Sequence, residues 1–155
     1  MNGKRPLYET QTHLDQEQGV AAVISSRWDC QPVKLPIKYS LDFALVRNKR
    51  IVSYCEMKTR NYTMNEINSM GGYLLSLNKW INAQNMCKSS GVPFTLIVQT
   101  VDKKIWYSVF KDDFSKLTTY MVGRKDRNDW QDIEPCVLIS ANRFTLLKEI
   151  THDRC

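Results

Sequence analysis

Three residues in the first half of the chain have types and spacing that could do chemistry: Asp42, Glu56 and Lys58. Asp42 stands near the start of an otherwise apolar run, Leu41 to Val46, while Glu56 and Lys58 end a second run that begins at Ile51. Arg47-Asn48-Lys49-Arg50 between them reads as a charged turn, so the two runs predict a hairpin. Alternate side chains of a strand share a face. Asp42 then goes with Ala44 and Val46, and Glu56 and Lys58 go with Val52 and Tyr54. The hairpin would bring the acid of one arm beside the acid-x-lysine pair of the other. Charges inside strands are costly unless they lie at an edge, pair, or coordinate something. Two carboxylates can hold a hard divalent cation, which would polarise a phosphate and acidify a bound water. An ammonium beside it could orient that water and offset charge growing on phosphorus. This chemistry suits phosphodiester cleavage. The competing reading is an ion pair of Asp42 or Glu56 with Lys58, because glutamate-x-lysine is a common tripeptide.

The elements that must position these residues can be read along the chain. A helix is expected from about Thr12 to Trp28, with Thr12 and Asp15 as a capping box and Val20, Ala21, Ile24 and Trp28 as its inward stripe. A short strand is expected over Pro32 to Pro36. A longer helix is expected from Asn65 or Ser69 to Ser89, amphipathic through Leu74, Leu77, Ile81 and Met86, with Gly91 and Pro93 stopping it. Phe94 to Val101 and Ile105 to Phe110 read as another hairpin across Asp102-Lys103-Lys104. Later signals are a short helix from Asp113 to Tyr120, a polar loop from Gly123 to Asp132, and a last strand from Cys136 to Ser140. Helix, strands, helix, strands implies an α/β fold with a central mixed sheet flanked by helices.

With these elements in place, the chain resembles the PD-(D/E)XK, restriction-endonuclease-like nuclease superfamily. That core is a helix, three strands, a helix and a strand. Its pattern is an acid on the first helix, an Asp opening the second strand and (D/E)-x-K ending the third. Tyr39-Ser40-Leu41-Asp42-Phe43-Ala44 matches the Asp strand and Tyr54-Cys55-Glu56-Met57-Lys58 the acid-x-lysine strand, with Leu41 where the family often has proline. The resemblance runs from Thr12 to Phe110. It implies an endonuclease using Mg²⁺ or Mn²⁺, with Asp42, Glu56 and the main-chain carbonyl of Met57 as ligands and Lys58 as the catalytic ammonium. The helical acid it implies is Glu17, which extends the inward stripe. His13, one turn earlier, is the alternative, because some members, viral cap-snatching endonucleases among them, use a helical histidine. The resemblance also implies substrate contacts from the second helix, where Ser76 and Lys79 stand three apart; Lys79 is the stronger candidate, set against an ordinary exposed lysine. Trp80 is expected to pack under the sheet.

Composition bounds the reading without deciding it. The 155 residues suit a single domain, 1–155. No apolar stretch reaches membrane-spanning length and the first nine residues lack a signal-peptide core, so a cytoplasmic protein is expected, acting in a host cell if phage-encoded. Cys30, Cys55, Cys87, Cys136 and Cys155 are scattered and form no C-x-x-C pair, which argues for reduced thiols rather than zinc or a disulfide framework. The net charge of +6 suits a polyanion. Arg60 and Lys88 are expected near the catalytic edge. Arg124, Lys125 and Arg127 form a second basic group, whose field Asp126, Asp129 and Asp132 dilute.

The expected substrate is DNA, cut structure-selectively at a junction or branch, since no helix-turn-helix or zinc finger is recognisable. Junction resolution would call for a homodimer with two sites. RNA cleavage with a His13 ligand is the second enzymatic alternative. A non-catalytic nucleic-acid-binding module of the same fold is the third reading, and the intact Asp42, Glu56 and Lys58 argue against it.

Overall fold

The computed structural model describes residues 11–36, 41–112, 119–123 and 133–147. Helix α1 spans Gln11–Trp28. Its Val20 and Ile24 are buried, with Ala21 and Trp28 packed beside them, as helical periodicity requires of an inward stripe. The capping box expected at Thr12 does not form the helix start. Thr12 lies inside α1, and the Gln11 side chain donates a 3.0 Å hydrogen bond to Asp15.

Strands β1 (Gln31–Lys34), β2 (Phe43–Arg47) and β3 (Arg50–Thr59) follow, paired antiparallel. Asn48 (φ 50°) and Lys49 (φ 61°) both take left-handed backbone, the signature of a two-residue hairpin turn whose twist matches its strands. Leu45 pairs with Ser53 but Val46 with Ile51, so β3 carries Val52 as an extra residue. The alternation expected along β3 therefore breaks. Val52 packs in the cluster beneath α1, whereas Tyr54 packs on the opposite side.

Strand β3 then pairs in parallel with β5 (Phe94–Gln99), and β6 (Ile105–Phe110) and β9 (Thr145–Leu147) complete a six-stranded mixed sheet in the order β1-β2-β3-β5-β6-β9. One face holds Phe43, Leu45, Cys55, Met57 and Ile97 against α1. The other holds Phe94, Leu96 and Val98 against a helix that begins at Leu77.

The single long helix expected between Asn65 or Ser69 and Ser89 is three elements instead: α2 (Met64–Ser69), β4 (Tyr73–Ser76) and α3 (Leu77–Ser90). Thr63 caps α2, accepting from the Glu66 amide at 3.2 Å. The break comes at Gly71 (φ 98°) and Gly72 (φ 136°), backbone that side-chain-bearing residues rarely adopt. A Cβ on Gly72 would lie 2.5 Å from the Ile139 carbonyl oxygen, so only glycine lets the chain run this close to its neighbour. Tyr73 and Leu75 then alternate, buried, with the less buried Leu74 and Ser76. β4 pairs with β8 (Ile133–Ile139), and β8 with β7 (Thr119–Gly123), in a second sheet. Of the apolar stripe expected on the long helix, Leu74 belongs to β4 and Ile81 is 43% exposed; the buried positions of α3 are Trp80, Ala83 and Cys87. Trp80 packs edge-on against Phe110, under the sheet as expected. Gly91 (φ 73°) closes α3 through a 2.9 Å bond to the Cys87 carbonyl.

In the last third, Tyr120 lies in β7 rather than at the end of a helix, and β8 begins at Ile133 rather than Cys136. Most of the expected polar loop, with Arg124, Lys125 and Arg127, lies outside the described residues. Among the described residues no helix is long and apolar enough to cross a membrane. Cys30, Cys55, Cys87 and Cys136 are free and buried.

Two glycines test this construction in opposite directions. Gly72→Ala is expected to cost about 2–3 kcal/mol, since it forces strained backbone and a main-chain clash together. Gly19→Ala, in α1 with nothing within 4 Å of the added methyl, should instead gain about 0.5–1 kcal/mol. Urea unfolding of both variants measures the pair; equal effects would refute the assigned break.

Candidate active site

Glu56 is the centre of the site. It lies in the parallel-paired part of β3, opposite Leu96, and is 0% exposed. Lys58, two residues on along the same face, holds its Nζ 2.9 Å from Glu56 Oε1. From the other side Lys79 reaches both oxygens at 3.2 Å and donates its hydrogen bond to Oε2. Both ammoniums therefore converge on Oε1, with Lys58 making the shorter contact. Lys79 is in the first turn of α3, at the positive end of the helix dipole, where a cation is disfavoured on helix grounds alone. Its contact with the buried carboxylate offsets that.

Asp42 sits just before β2, and its position depends on where that strand starts. Phe43 opposite Cys55 is the first β2–β3 pair, so among the described residues β3 has no strand partner on this flank from Glu56 onward. The Asp42 carboxylate fills the place: its Oδ2 accepts from the Met57 amide at 3.3 Å, and its carbonyl accepts from the Leu35 amide at 2.8 Å. The N–H and C=O of one strand residue face the same flank. The Met57 carbonyl is thus turned toward the side that Asp42 occupies, while its side chain is buried in the cluster beneath α1.

The electrostatics follow from burial. Desolvation raises the Glu56 pKa above its ordinary value, the nearby Asp42 carboxylate adds to this, and Lys58 and Lys79 oppose it without cancelling it. For Lys58, burial pulls the pKa down, but the carboxylates of Glu56 and Asp42 outweigh it and the net shift is upward. Tyr73, in β4 rather than within the expected long helix, contributes a phenol to this field. Its pKa is raised by burial against the pull of Arg60 and Lys58.

The structure thus gathers Asp42, Glu56, Lys58 and Lys79, with the Met57 main chain between them. Arg60 lies close by, its guanidinium 4.9 Å over the Tyr73 ring and donating to the Thr59 carbonyl at 3.1 Å. Ser76 ends β4 and donates to Glu134 of β8 at 3.2 Å, a partner that nothing in the local sequence announced. Lys88 is in the last turn of α3, away from the end that carries Lys79.

Glu17 is not brought into this group, contrary to the expectation of a helical ligand. Helix α1 covers the face of the sheet opposite Glu56 and Lys58, and Glu17 is ion-paired with Lys34 of β1 at 3.0 Å. The His13 side chain lies outside the described residues. Among the described residues no group of three or more His, Cys, Asp or Glu could hold a metal ion. The oxygen donors are two carboxylates and a main-chain carbonyl, which suits a hard cation that takes one or two carboxylates and keeps several waters. The buried Glu56 carboxylate, close enough to Asp42 for the two charges to interact, fits that role.

An acid whose pKa is raised by folding is protonated more readily in the folded chain. Its stabilising effect is complete below the unfolded value, near 4.5, and is lost as pH rises through the folded one. Glu56→Gln mimics the neutral acid. In a chelating buffer the variant should gain on the wild type as pH rises from about 4 to about 8 and end at least as stable. Urea midpoints across that range measure it; a variant that instead falls behind at neutral pH would make Glu56 an ordinary structural ion-pair partner.

Comparison with known proteins adds two findings. A family model described as "Phage putative PDDEXK endonuclease" matches residues 3–147. Among solved structures, the Holliday junction resolvase Hjc of Archaeoglobus fulgidus is similar at a TM-score of 0.41 and 12% identity, over 58% of this chain and 73% of that one. No curated protein matches the sequence.

Proposed function

The chain belongs to the family of phage PDDEXK endonucleases, and from that membership we propose that it hydrolyses phosphodiester bonds of DNA with Mg²⁺ or Mn²⁺ held by Asp42 and Glu56. The observation that carries this reading is the buried Glu56 carboxylate, flanked by Lys58 and Lys79 and near enough to the Asp42 carboxylate to feel its charge. Asp42, Glu56 and the Met57 carbonyl would form the cation's protein ligands, and Glu17, paired with Lys34, is not among them. Bound there, such a cation would polarise the scissile phosphate and acidify a water.

The remaining work falls to this chain's own residues. Lys58 is suited to orient the attacking water and to offset the charge that grows on the phosphoryl oxygens, which matters most in the transition state. Lys79, at the start of α3, would hold the phosphate, and Arg60 would contact the strand just beyond it. Ser76 is spoken for by Glu134 and is the weaker contact. Arg124, Lys125 and Arg127 remain candidates for guiding the duplex. Structure-selective cutting of branched DNA is part of the proposal; resolving a junction would take two copies of the chain, one for each strand.

Purified protein offered linear, branched and single-stranded DNA and RNA tests this. Cleavage of DNA should appear with Mg²⁺ or Mn²⁺ and vanish with EDTA. RNA cutting would favour the alternative enzyme, and binding without cutting the non-catalytic module. Lys58→Ala should lower turnover about 10²- to 10³-fold while nucleic-acid affinity changes little. If affinity and turnover fell together, Lys58 would be a plain phosphate contact.

A further inference from the structure

Just past Lys58 the protein carries an exposed aromatic that the site chemistry does not use. Tyr62 follows Lys58 by four residues and is 45% exposed; beside it Val101 is 50% exposed. The two are joined by a 3.1 Å bond from the Val101 amide to the Tyr62 carbonyl. Both belong to loops leaving the ends of β3 and β5, which run parallel, so the pair stands at the C-terminal end of the strand that carries Lys58. Together they make an exposed apolar lip at this end of the strands.

The lip is held firmly. The turn after β5 places Lys103 in left-handed backbone (φ 64°), and the Thr100 amide bonds the Lys104 carbonyl at 2.9 Å. Trp106 donates its indole N–H to the Thr100 hydroxyl at 3.3 Å, and that hydroxyl donates to Asp102. The Arg60 amide bonds the Gln99 carbonyl at 2.9 Å, tying the two loops together below Tyr62. Charge around the lip is unequal. Within the two loops Arg60, Lys103 and Lys104 are cationic and Asp102 is engaged by Thr100 and by Lys104 at 3.7 Å, while Glu66 lies in the first turn of α2 just beyond.

An exposed ring with an aliphatic neighbour, with cations in the same two loops and a rigid turn behind it, matches how proteins hold unpaired nucleobases: the base stacks on the ring and the backbone phosphates meet the cations. Base pairs inside a duplex offer no free face to such a ring. The span also fits. Four residues of chain reach at most about 14 Å, the length of about four nucleotides at ~3.4 Å each. We propose that Tyr62 and Val101 form a stacking platform for an unpaired base of the DNA strand, within a few nucleotides of the scissile phosphate, so that the enzyme engages sites where duplex gives way to single strand. This inference rests on the nuclease reading and deepens it by naming the substrate feature.

The test uses the full chain in EDTA, so that binding is read without cutting. Fluorescence anisotropy would compare Tyr62→Ala, Tyr62→Phe and wild type on a blunt duplex and on the same duplex with an unpaired flap carrying 2-aminopurine near the branch. Wild type and Tyr62→Phe should quench the 2-aminopurine. Tyr62→Ala should lose the quenching and roughly five- to hundred-fold of its flap affinity, while blunt-duplex affinity changes less than about two-fold. Unchanged quenching in Tyr62→Ala, or equal losses on both probes, would overturn the platform. If the wild type binds neither probe, the platform falls as well. Cleavage by the wild type with Mn²⁺ is scored separately, so a chain that stacks the base but cuts nothing would refute the nuclease reading and leave the platform standing.

Discussion

A carboxylate with no solvent exposure must have its charge answered from within the protein, and in this molecule that carboxylate is Glu56. Two ammoniums answer it here, Lys58 from its own strand and Lys79 from the start of α3. They answer it incompletely. The net pKa shift of Glu56 is upward, so burial and the neighbouring Asp42 still outweigh the two lysines. A pure stability device would not be built this way, because a buried ion pair recovers its desolvation cost only with good geometry and satisfied lone pairs. A site that expects further positive charge would be. The proposed cation would bring that charge to the Glu56 and Asp42 carboxylates and the Met57 carbonyl.

Much of the surrounding architecture serves that arrangement. Strand β2 starts at Phe43, which leaves one flank of β3 open at Glu56 and lets Asp42 enter it. Gly71 and Gly72 break what would otherwise be one long helix, and the break lets Tyr73 and Leu75 enter a second sheet through β8. As a result α3 begins at Leu77, and its first turn is aimed at the sheet with Lys79 on it. The lysine sits at the wrong end of the helix dipole, and the Glu56 contact is what makes it tolerable. Local rules that yield at one point while the rest of the chain obeys them are a mark of a working site.

The sequence shows much of this and hides the rest for identifiable reasons. The hairpin of β2 and β3 was legible from two apolar runs around a charged turn, and the α1 stripe from its period. Asp42, Glu56 and Lys58 stood out because charges rarely lie inside strands. Val52 was assigned to the wrong face because one extra residue on β3 flips the alternation, and a bulge leaves no signature in the order of residue types. The long helix was misread because Tyr73 to Ser76 fits a helical period as well as a strand; the glycine pair before it, and the 2.5 Å approach it permits, were the signal to weigh. Glu17 looked inward by periodicity, yet inward for α1 means the face opposite the site, and which face a helix covers is a property of the whole topology. Glu134, some sixty residues from Ser76, is a contact that only the folded chain reveals.

Calorimetric titration of Mn²⁺ into the metal-free chain tests the central claim most directly, because it reads the site without substrate or turnover. The account predicts saturable binding to the wild type, weakened at least about ten-fold by Asp42→Asn, with the fold of the variant intact. Isotherms that coincide for the two proteins, or a wild type that takes up no Mn²⁺ at all, would contradict it.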